Sequence, residues 1–295
     1  MINYHKGNAL ILFTLFLMFL PADGFSQQPQ TRPPLTENEN PQLIGKRNIN
    51  RQQINFYSAE KELALGRKLA EEFEEQARIV GESEVTAYLT GLVRNLALHS
   101  DATASINLKL VDSEKVDAFA LPGGFLYLNL GLIRTVETEA ELAAVISHLI
   151  AHVAARHGVE MASKSQILNW ASIQYVVFAD SSGVGLNPAF PLSLLAFARR
   201  NEFEADMLGA QYSWAAGYDP TGLIKYYEKE SPPQPGSISK IYSTHPLPSV
   251  RISKLKELIA LFPERENLIT TSEEFKRVKA SLPSESPNKP QLRRN

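Results

Sequence analysis

The amino-acid sequence predicts an α+β fold that is mainly helical, with a small antiparallel sheet packed on one long helix. Residues 106–111 alternate between apolar and polar side chains, as half-buried strands do, and residues 125–130 partly repeat this pattern after a turn predicted at Pro122-Gly123-Gly124. Most other apolar segments repeat every three to four residues, and several begin at capping residues, which is typical of helices. With 295 residues, 44% of them hydrophobic, the chain can bury a sizeable core.

The N-terminal 55 residues are expected to lie outside this fold. An apolar run at residues 9–20 precedes small residues at 21–24, a pattern typical of a signal peptide over residues 1–24 and of an exported protein. The alternative is an uncleaved segment that anchors the protein in a membrane, but the run is shorter than the ~20 residues that span a bilayer. Residues 25–55 are rich in Gln, Pro and Asn, which predicts a flexible linker.

The elements of the predicted domain, residues 56–262, follow in order. Ser58 is a suitable cap for a helix to about residue 80, and a second helix is expected at 84–99. After the two strands, Thr138 and Glu141 have the spacing of a capping box that opens a long helix. The helices expected from there on span residues 139–164, 193–216, 219–230 and 248–261, and a short one at 272–282 lies in the polar C-terminal tail, 263–295.

Composition excludes several classes of function. Thirty basic and 32 acidic residues leave a net charge of -2, so the broad basic surface that binds nucleic acid is not expected. The chain has no cysteine, which excludes thiolate metal sites, thiol nucleophiles and disulfides. Any metal ion must therefore be bound by His, Asp or Glu.

One pair of histidines has the spacing of metal ligands. His148 and His152 are four residues apart in the predicted helix 139–164, so they share one face. A second predicted helix offers Glu202 and Asp206, also four apart, and zinc sites of this kind take a third protein ligand. Because six histidines can produce this spacing by chance, two histidines on a helix surface remain the alternative.

Five segments in chain order together resemble a known family. They are residues 118–124 (AFALPGG), 141–145 (ELAAV), 152–158 (HVAARHG), 201–206 (NEFEAD) and 243–246 (STHP). They are similar to motifs of the zinc metallopeptidases of the HtpX, BepA and CAAX-prenyl-protease type, and to the soluble, exported branch of that group. The resemblance covers about residues 56–262 and implies a zincin-like domain whose sheet packs on the metal-binding helix.

The resemblance also assigns roles to residues. It implies that His148, His152 and Glu202 bind one Zn2+ ion, and that Asp206 accepts a hydrogen bond from a ligand histidine. His245 would approach the metal from a loop, although a histidine before proline can equally be a hydrogen-bonding loop residue. Glu204 points away from Glu202 by about 200° of helix rotation, so we expect it to be solvated or ion-paired.

Leu149 is the main departure from the family pattern. In the H-E-x-x-H motif the second residue is a glutamate that takes a proton from water on the zinc, and leucine cannot do this. Loss of a general base costs on the order of 10²–10⁴ in rate. Leucine is nevertheless a good helix former, so the protein can keep its metal affinity after it has lost catalytic activity.

Polypeptide binding is expected to involve the second strand. Zincins bind an extended substrate along a strand edge, and Phe125 and Tyr127 lie on one face of the predicted strand 125–130. The alternative is an ordinary strand of the sheet. By resemblance, unfolded or misfolded exported polypeptides are the expected partners, together with envelope assembly machinery.

Three hypotheses follow. The first, which the substitution at Leu149 favours, is a catalytically impaired, periplasmic zincin of envelope protein quality control that still binds zinc and polypeptides. The second is an active zinc metalloendopeptidase that uses zinc hydroxide or an unidentified base. The third is a metal-free interaction protein in which the histidines only pack.

Overall fold

The computed structural model describes residues 35–167, 192–229 and 245–282, where helices dominate and three short strands form one sheet. The strands are β1 (Asn107–Val111), β2 (Ala118–Leu121) and β3 (Phe125–Asn129). The helices are α1 (Ala59–Glu74), α2 (Glu84–Leu98), α3 (Leu130–Thr135), α4 (Glu139–Ala154), α5 (His157–Ile167), α6 (Leu192–Ala215), α7 (Gly222–Glu228), α8 (Pro248–Ile259) and α9 (Glu273–Ala280). The predicted α+β, mainly helical class is confirmed.

The sheet is mixed, with the strand order β1-β3-β2. The antiparallel hairpin β2–β3 turns at Gly123 and Gly124, whose φ angles of 77° and 94° suit glycine. Strand β1 pairs with the other edge of β3 and runs parallel to it. The antiparallel prediction is therefore correct for one strand pair and wrong for the other. The reason is β2, a four-residue strand that the sequence analysis did not identify and that occupies the antiparallel edge of β3.

Helix α4 forms much of the hydrophobic core. Thr138 caps it by accepting a hydrogen bond from the backbone N–H of Glu141 at 3.2 Å, as the sequence predicts. Fourteen of its sixteen residues are buried, and the two exceptions are His148 and His152. The two histidines are thus the only residues of α4 whose side chains are partly exposed.

The helix predicted at 139–164 is broken into α4 and α5, which meet at an angle of 47°. Arg156 lies at the break and has a positive φ of 51°, a conformation that L-residues rarely adopt. Its guanidinium donates hydrogen bonds to Oε2 of Glu62 at 2.6 Å and to the carbonyl of Tyr57 at 2.9 Å. These contacts stabilise a turn that periodicity alone does not reveal, and that turn directs His157 back toward His152.

Helix α6 packs on α4 at very short range. A Cβ atom at Gly209 would lie 2.9 Å from both N and Cα of His148, a distance that real side chains do not adopt. Glycine at this position therefore allows α6 to approach α4 next to the first histidine of the pair.

Part of the predicted linker belongs to the fold. Composition predicts a flexible segment at 25–55, but residues 35–55 pack against the domain. The Arg47 side chain donates hydrogen bonds to Asp101 at 2.8 and 3.0 Å and to Gln211 at 2.7 Å, and both members of the Arg47–Asp101 ion pair are buried. These pairings depend on partners more than 50 residues away, which the local composition cannot indicate.

The predicted tail also contributes to the core. Helix α9 confirms the short helix expected at 272–282, and its Phe275 and Val278 are each 2% exposed. The signal peptide predicted at 1–24 lies outside the described residues, as do residues 25–34 and 283–295. Among the described residues, no single helix is long and apolar enough to cross a membrane, although the bent pair α4 and α5 together meets that test of length and composition.

Candidate metal centre

Three side chains predicted to bind zinc lie together at the floor of a cleft. Nε2 of His148 is 3.1 Å from Nε2 of His152. The two carboxylate oxygens of Glu202 lie 3.6 Å from His148 Nε2 and 3.3 Å from His152 Nε2. The structure therefore brings together residues from α4 and α6 that are about 50 positions apart in the sequence.

The geometry of this cluster fits a tetrahedral metal ion. Ligand atoms at ~2.1 Å from zinc are separated by roughly 3.4 Å in a tetrahedron, close to all three distances between His148, His152 and Glu202. Oε2 of Glu202 is buried and has no hydrogen bond of good geometry among the described residues. Nη2 of Arg251 lies 3.1 Å from this oxygen, and a metal ion between the three side chains would give it a second positive partner.

Asp206 lies one turn beyond Glu202 and contacts His148, as predicted. Its Oδ1 is 3.1 Å from His148 Nδ1, the nitrogen that faces away from the cluster. Asp206 also accepts two hydrogen bonds of 2.7 Å from Arg251 and one of 2.8 Å from the Tyr227 hydroxyl. Burial acts to raise the pKa of Asp206, but Arg251 outweighs burial and holds the pKa below its usual range.

The charge of Glu202 is stabilised in the same way. Burial acts to raise its pKa, whereas the side chains of His245 and Arg251 hold the pKa well below its ordinary value of 4.5. Nη2 of Arg251 is 3.1 Å from Glu202 Oε2. Burial lowers the pKa of His148, which favours the neutral ring that a metal requires.

His245 reaches the cluster from the segment that precedes α8. Its Nε2 lies 3.4 Å from Oε1 of Glu202, and the side chain is about one-fifth exposed. The structure thus places His245 beside the predicted third ligand.

Leu149 occupies the position of the family's general base and lines the cleft, a cavity of about 480 Å³. It is 5% exposed. Among the described residues, two other carboxylates line the cleft, Glu62 and Asp117, and Glu62 accepts a 2.6 Å hydrogen bond from Arg156. Glu141 accepts a 2.6 Å hydrogen bond from Lys229, and Glu204 lies 3.5 Å from His157 Nε2.

The predicted peptide-binding strand needs correction. Phe125 and Tyr127 belong to β3, which is the central strand and is paired along both edges, so it cannot accept a further strand. Tyr127 is fully buried and donates a 2.6 Å hydrogen bond to Glu74. The strand that borders the cleft is β2, at the edge of the sheet. The prediction failed because β2 was not identified and β3 was taken as an edge.

Sequence reasoning missed three residues of the site. His157 lies 3.0 Å from His152, while Arg251 and Tyr227 surround Asp206. His157 was visible within a family-like segment, but its role depends on the break at Arg156. Burial lowers the pKa of His157 to about 4, so its ring is neutral near pH 7.

Comparisons with known proteins agree with this geometry. A model of peptidase family M48 matches residues 81–259. The beta-barrel assembly-enhancing protease of Escherichia coli K12 is 26% identical over 240 residues, which cover 75% of this chain and 48% of that protein. The Arabidopsis thaliana mitochondrial metalloendopeptidase OMA1 is 35% identical over 138 residues, 46% of this chain and 28% of the relative. The chain spans about half the length, or less, of these curated relatives.

Proposed function

Since the chain belongs to peptidase family M48, a family of metalloendopeptidases, we propose that it is a zinc-binding member in which Leu149 impairs hydrolysis. In this proposal the protein binds polypeptides in its cleft without cleaving them at the rate of an intact enzyme. The observation that carries the proposal is the buried leucine beside three side chains arranged for a metal ion.

Zinc would be held by His148, His152 and Glu202. When bound, it supplies a Lewis acid that polarises a carbonyl group and makes its water more acidic. Asp206 would fix the orientation of His148 through Nδ1, and Arg251 would keep Asp206 and Glu202 ionised. These residues provide binding and orientation, and none of them supplies a proton acceptor at the position of Leu149.

A polypeptide would bind as an extended strand beside β2. Main-chain hydrogen bonds to an edge strand give affinity that depends little on sequence, which suits unfolded polypeptides of varied composition. Residues 118–122 all line the cleft, next to both histidines. This placement replaces the role first predicted for Phe125 and Tyr127.

The proposed setting is quality control of exported proteins. Two features support it: the signal-like N-terminal sequence, and the similarity to bacterial proteases whose name refers to β-barrel assembly. We infer that the protein is periplasmic and binds misfolded exported polypeptides, in cooperation with envelope assembly machinery. An uncleaved N-terminal segment would instead hold the same domain at the membrane.

The competing proposal is an active metalloendopeptidase that uses another base. His245 is the residue that could act as this base, since its imidazole lines the cleft and is 3.4 Å from Glu202. A metal-free interaction protein is the third possibility, and metal content separates it from the other two.

The deciding experiment combines metal analysis with a reversion. We expect the purified protein to contain about one zinc per chain and to bind fluorescent casein. Leu149→Glu is expected to raise casein cleavage by about 10²–10⁴-fold, because it restores a general base. Leu149→Gln is the matched control, since it has the size and polarity of glutamate but is not a base.

The outcomes distinguish the three proposals. Rapid, chelator-sensitive cleavage by the unaltered protein that Leu149→Glu does not increase would support the active enzyme. Equal cleavage by the Glu and Gln variants would show that polarity, and not a base, limits the reaction. A protein that takes up no zinc would leave only the metal-free alternative.

A further inference from the structure

A third histidine, which is buried, lies behind the candidate metal-binding pair. Nδ1 of His157 is 3.0 Å from Nδ1 of His152, and Nε2 of His157 is 3.5 Å from Oε2 of Glu204. The rings of His152 and His157 meet edge to face, with centroids 4.9 Å apart at 76°. His157 is 3% exposed, so neither nitrogen is available to bulk water. The proposed function above assigns no role to this residue.

Metal binding would fix which nitrogens of His152 and His157 carry a proton. A nitrogen that binds a metal ion carries no proton, so a neutral His152 that offers Nε2 to the centre has its proton on Nδ1. The adjacent Nδ1 of His157 must then accept that hydrogen bond. The single proton of a neutral His157 consequently lies on Nε2, where it faces the carboxylate of Glu204.

On this geometry, and resting on the zinc binding proposed above, we propose that His157 is a positioning residue that holds His152 with Nε2 toward the metal, and that Glu204 holds His157 in turn. The two ligand histidines are then oriented differently. His148 faces the carboxylate of Asp206 directly at 3.1 Å, whereas His152 reaches a carboxylate through a second imidazole. Both carboxylates lie on α6, two residues apart, so one helix orients both ligands.

The backbone explains why a histidine can take this position. An uninterrupted helix would carry residue 157 past His152, since five residues correspond to about 500° of rotation and ~7.5 Å of rise. The positive φ of Arg156 ends α4 and restarts the chain as α5, whose first residue is His157. The break therefore has a consequence at the metal centre.

The test is the zinc affinity of full-length variants, measured by competition with a chromophoric chelator. His157→Phe keeps a ring of similar shape but accepts no hydrogen bond, and we expect it to bind zinc about 10–100-fold more weakly. His157→Asn is expected to recover most of this loss, because its side-chain oxygen can accept from Nδ1 of His152. Glu204→Gln should have a smaller effect of the same sign. The matched control is His99→Phe, an exposed histidine at the end of α2 that should leave zinc affinity unchanged.

Two further measurements separate positioning from packing. Thermal unfolding of the metal-free variants reports packing alone. The proposal is supported if His157→Phe and His157→Asn are equally stable without metal but only His157→Phe loses zinc affinity. Nitrogen-15 NMR of the zinc-loaded protein should show the proton of His157 on Nε2. Unchanged affinity in His157→Phe, or a proton on Nδ1 of His157, would overturn the inference while zinc binding itself stands. If the unaltered protein takes up no zinc, the proposed function fails and this inference fails with it.

Discussion

Arg251 is the residue that stabilises the buried negative charge of the site. Its guanidinium binds Asp206 through two nitrogens, lies 3.1 Å from Glu202, and stacks 4.2 Å from the centre of the Tyr227 ring. It is 5% exposed. One guanidinium therefore contacts both carboxylates, and together with His245 it favours the ionised form of Glu202.

Replacement of Arg251 by methionine should destabilise the metal-free protein by about 3–5 kcal/mol, since two buried carboxylates lose their counter-charge. Zinc should recover part of this loss, because it neutralises Glu202. Urea unfolding with and without zinc measures both effects. Arg277→Met is the control: its ion pair with Glu84 is well exposed and should contribute less than about 1 kcal/mol. Equal losses in the two variants would contradict the role given to Arg251.

The side chains that α4 and α6 contribute were the most predictable part of the candidate site. Helical spacing and family-like segments identify His148, His152, Glu202 and Asp206, because each property is local in the sequence. Arg251 was not identified, since nothing near it in the chain indicates that α8 faces α6. Contacts of this kind depend on tertiary packing, which a single sequence does not display.

At the scale of elements, the contact of α4 with α6 depends on Gly209. Gly209→Ala would place a methyl group 2.9 Å from the backbone of His148 and push the helices apart. We expect a loss of about 1–3 kcal/mol in the free energy of unfolding, which is typical of overpacking. Zinc affinity should fall as well, because Glu202 on α6 would move away from the histidines on α4.

Gly91 provides the matched control. It is exposed in α2, and a Cβ there would meet no atom within 4 Å. Gly91→Ala should therefore stabilise the protein by about 0.5–1 kcal/mol through helix propensity and leave zinc binding unchanged. Stabilisation by both alanines would show that α6 can shift without cost.

The contact between α1 and the sheet should depend on pH. Burial acts to raise the pKa of Glu74, but hydrogen bonds from Lys109 and Tyr127 outweigh burial and lower it. The carboxylate therefore stabilises the fold above its ordinary pKa of 4.5, and this contribution is lost as the pH falls through the lower folded value. Urea unfolding measures how much the free energy of unfolding falls between pH 7 and pH 3. This fall should be smaller for Tyr127→Phe than for the unaltered protein, and smaller still for Glu74→Gln. Identical pH profiles would contradict the link.

Strands and helix ends were harder to predict than helices. Residues 118–121 form a strand of only four residues, and the residue with positive φ at the break is an arginine, a residue type that does not predict this conformation. Both features are stabilised by distant partners: β2 by β3, and Arg156 by Glu62 on α1. Periodicity describes one element at a time and cannot indicate such partners.

For the molecule as a whole, residues 35–55 should be required for full stability. Removing Arg47 leaves the buried carboxylate of Asp101 without its counter-charge, with hydrogen bonds from the Gly45 N–H and the Tyr212 hydroxyl, so Arg47→Leu should cost about 3–5 kcal/mol. Urea unfolding provides the measurement. Arg51→Leu, an exposed arginine in the same segment, should change stability by less than about 0.5 kcal/mol. A protein shortened to begin at residue 56 should resemble Arg47→Leu, and full stability of that protein would restore the linker prediction.

The fold class was predictable because helical periodicity and capping extend over most of the chain. The extent of the domain was harder to predict. Residues 35–55 are polar in composition, and composition does not reveal that they contribute an arginine to a buried ion pair. In the same way, the tail at 263–295 is polar on average, yet Phe275 lies in the core.

The left-handed backbone at Arg156 connects the helix α1 to the candidate metal centre. Glu62 on α1 binds the guanidinium of Arg156, and the adjacent His157 touches His152. Free-energy coupling is reciprocal, so the factor by which docking of α1 favours zinc binding must equal the factor by which zinc favours docking of α1. A force that pulls on the chain before α1 would accordingly displace the imidazole of His157, more than 90 residues away in the sequence.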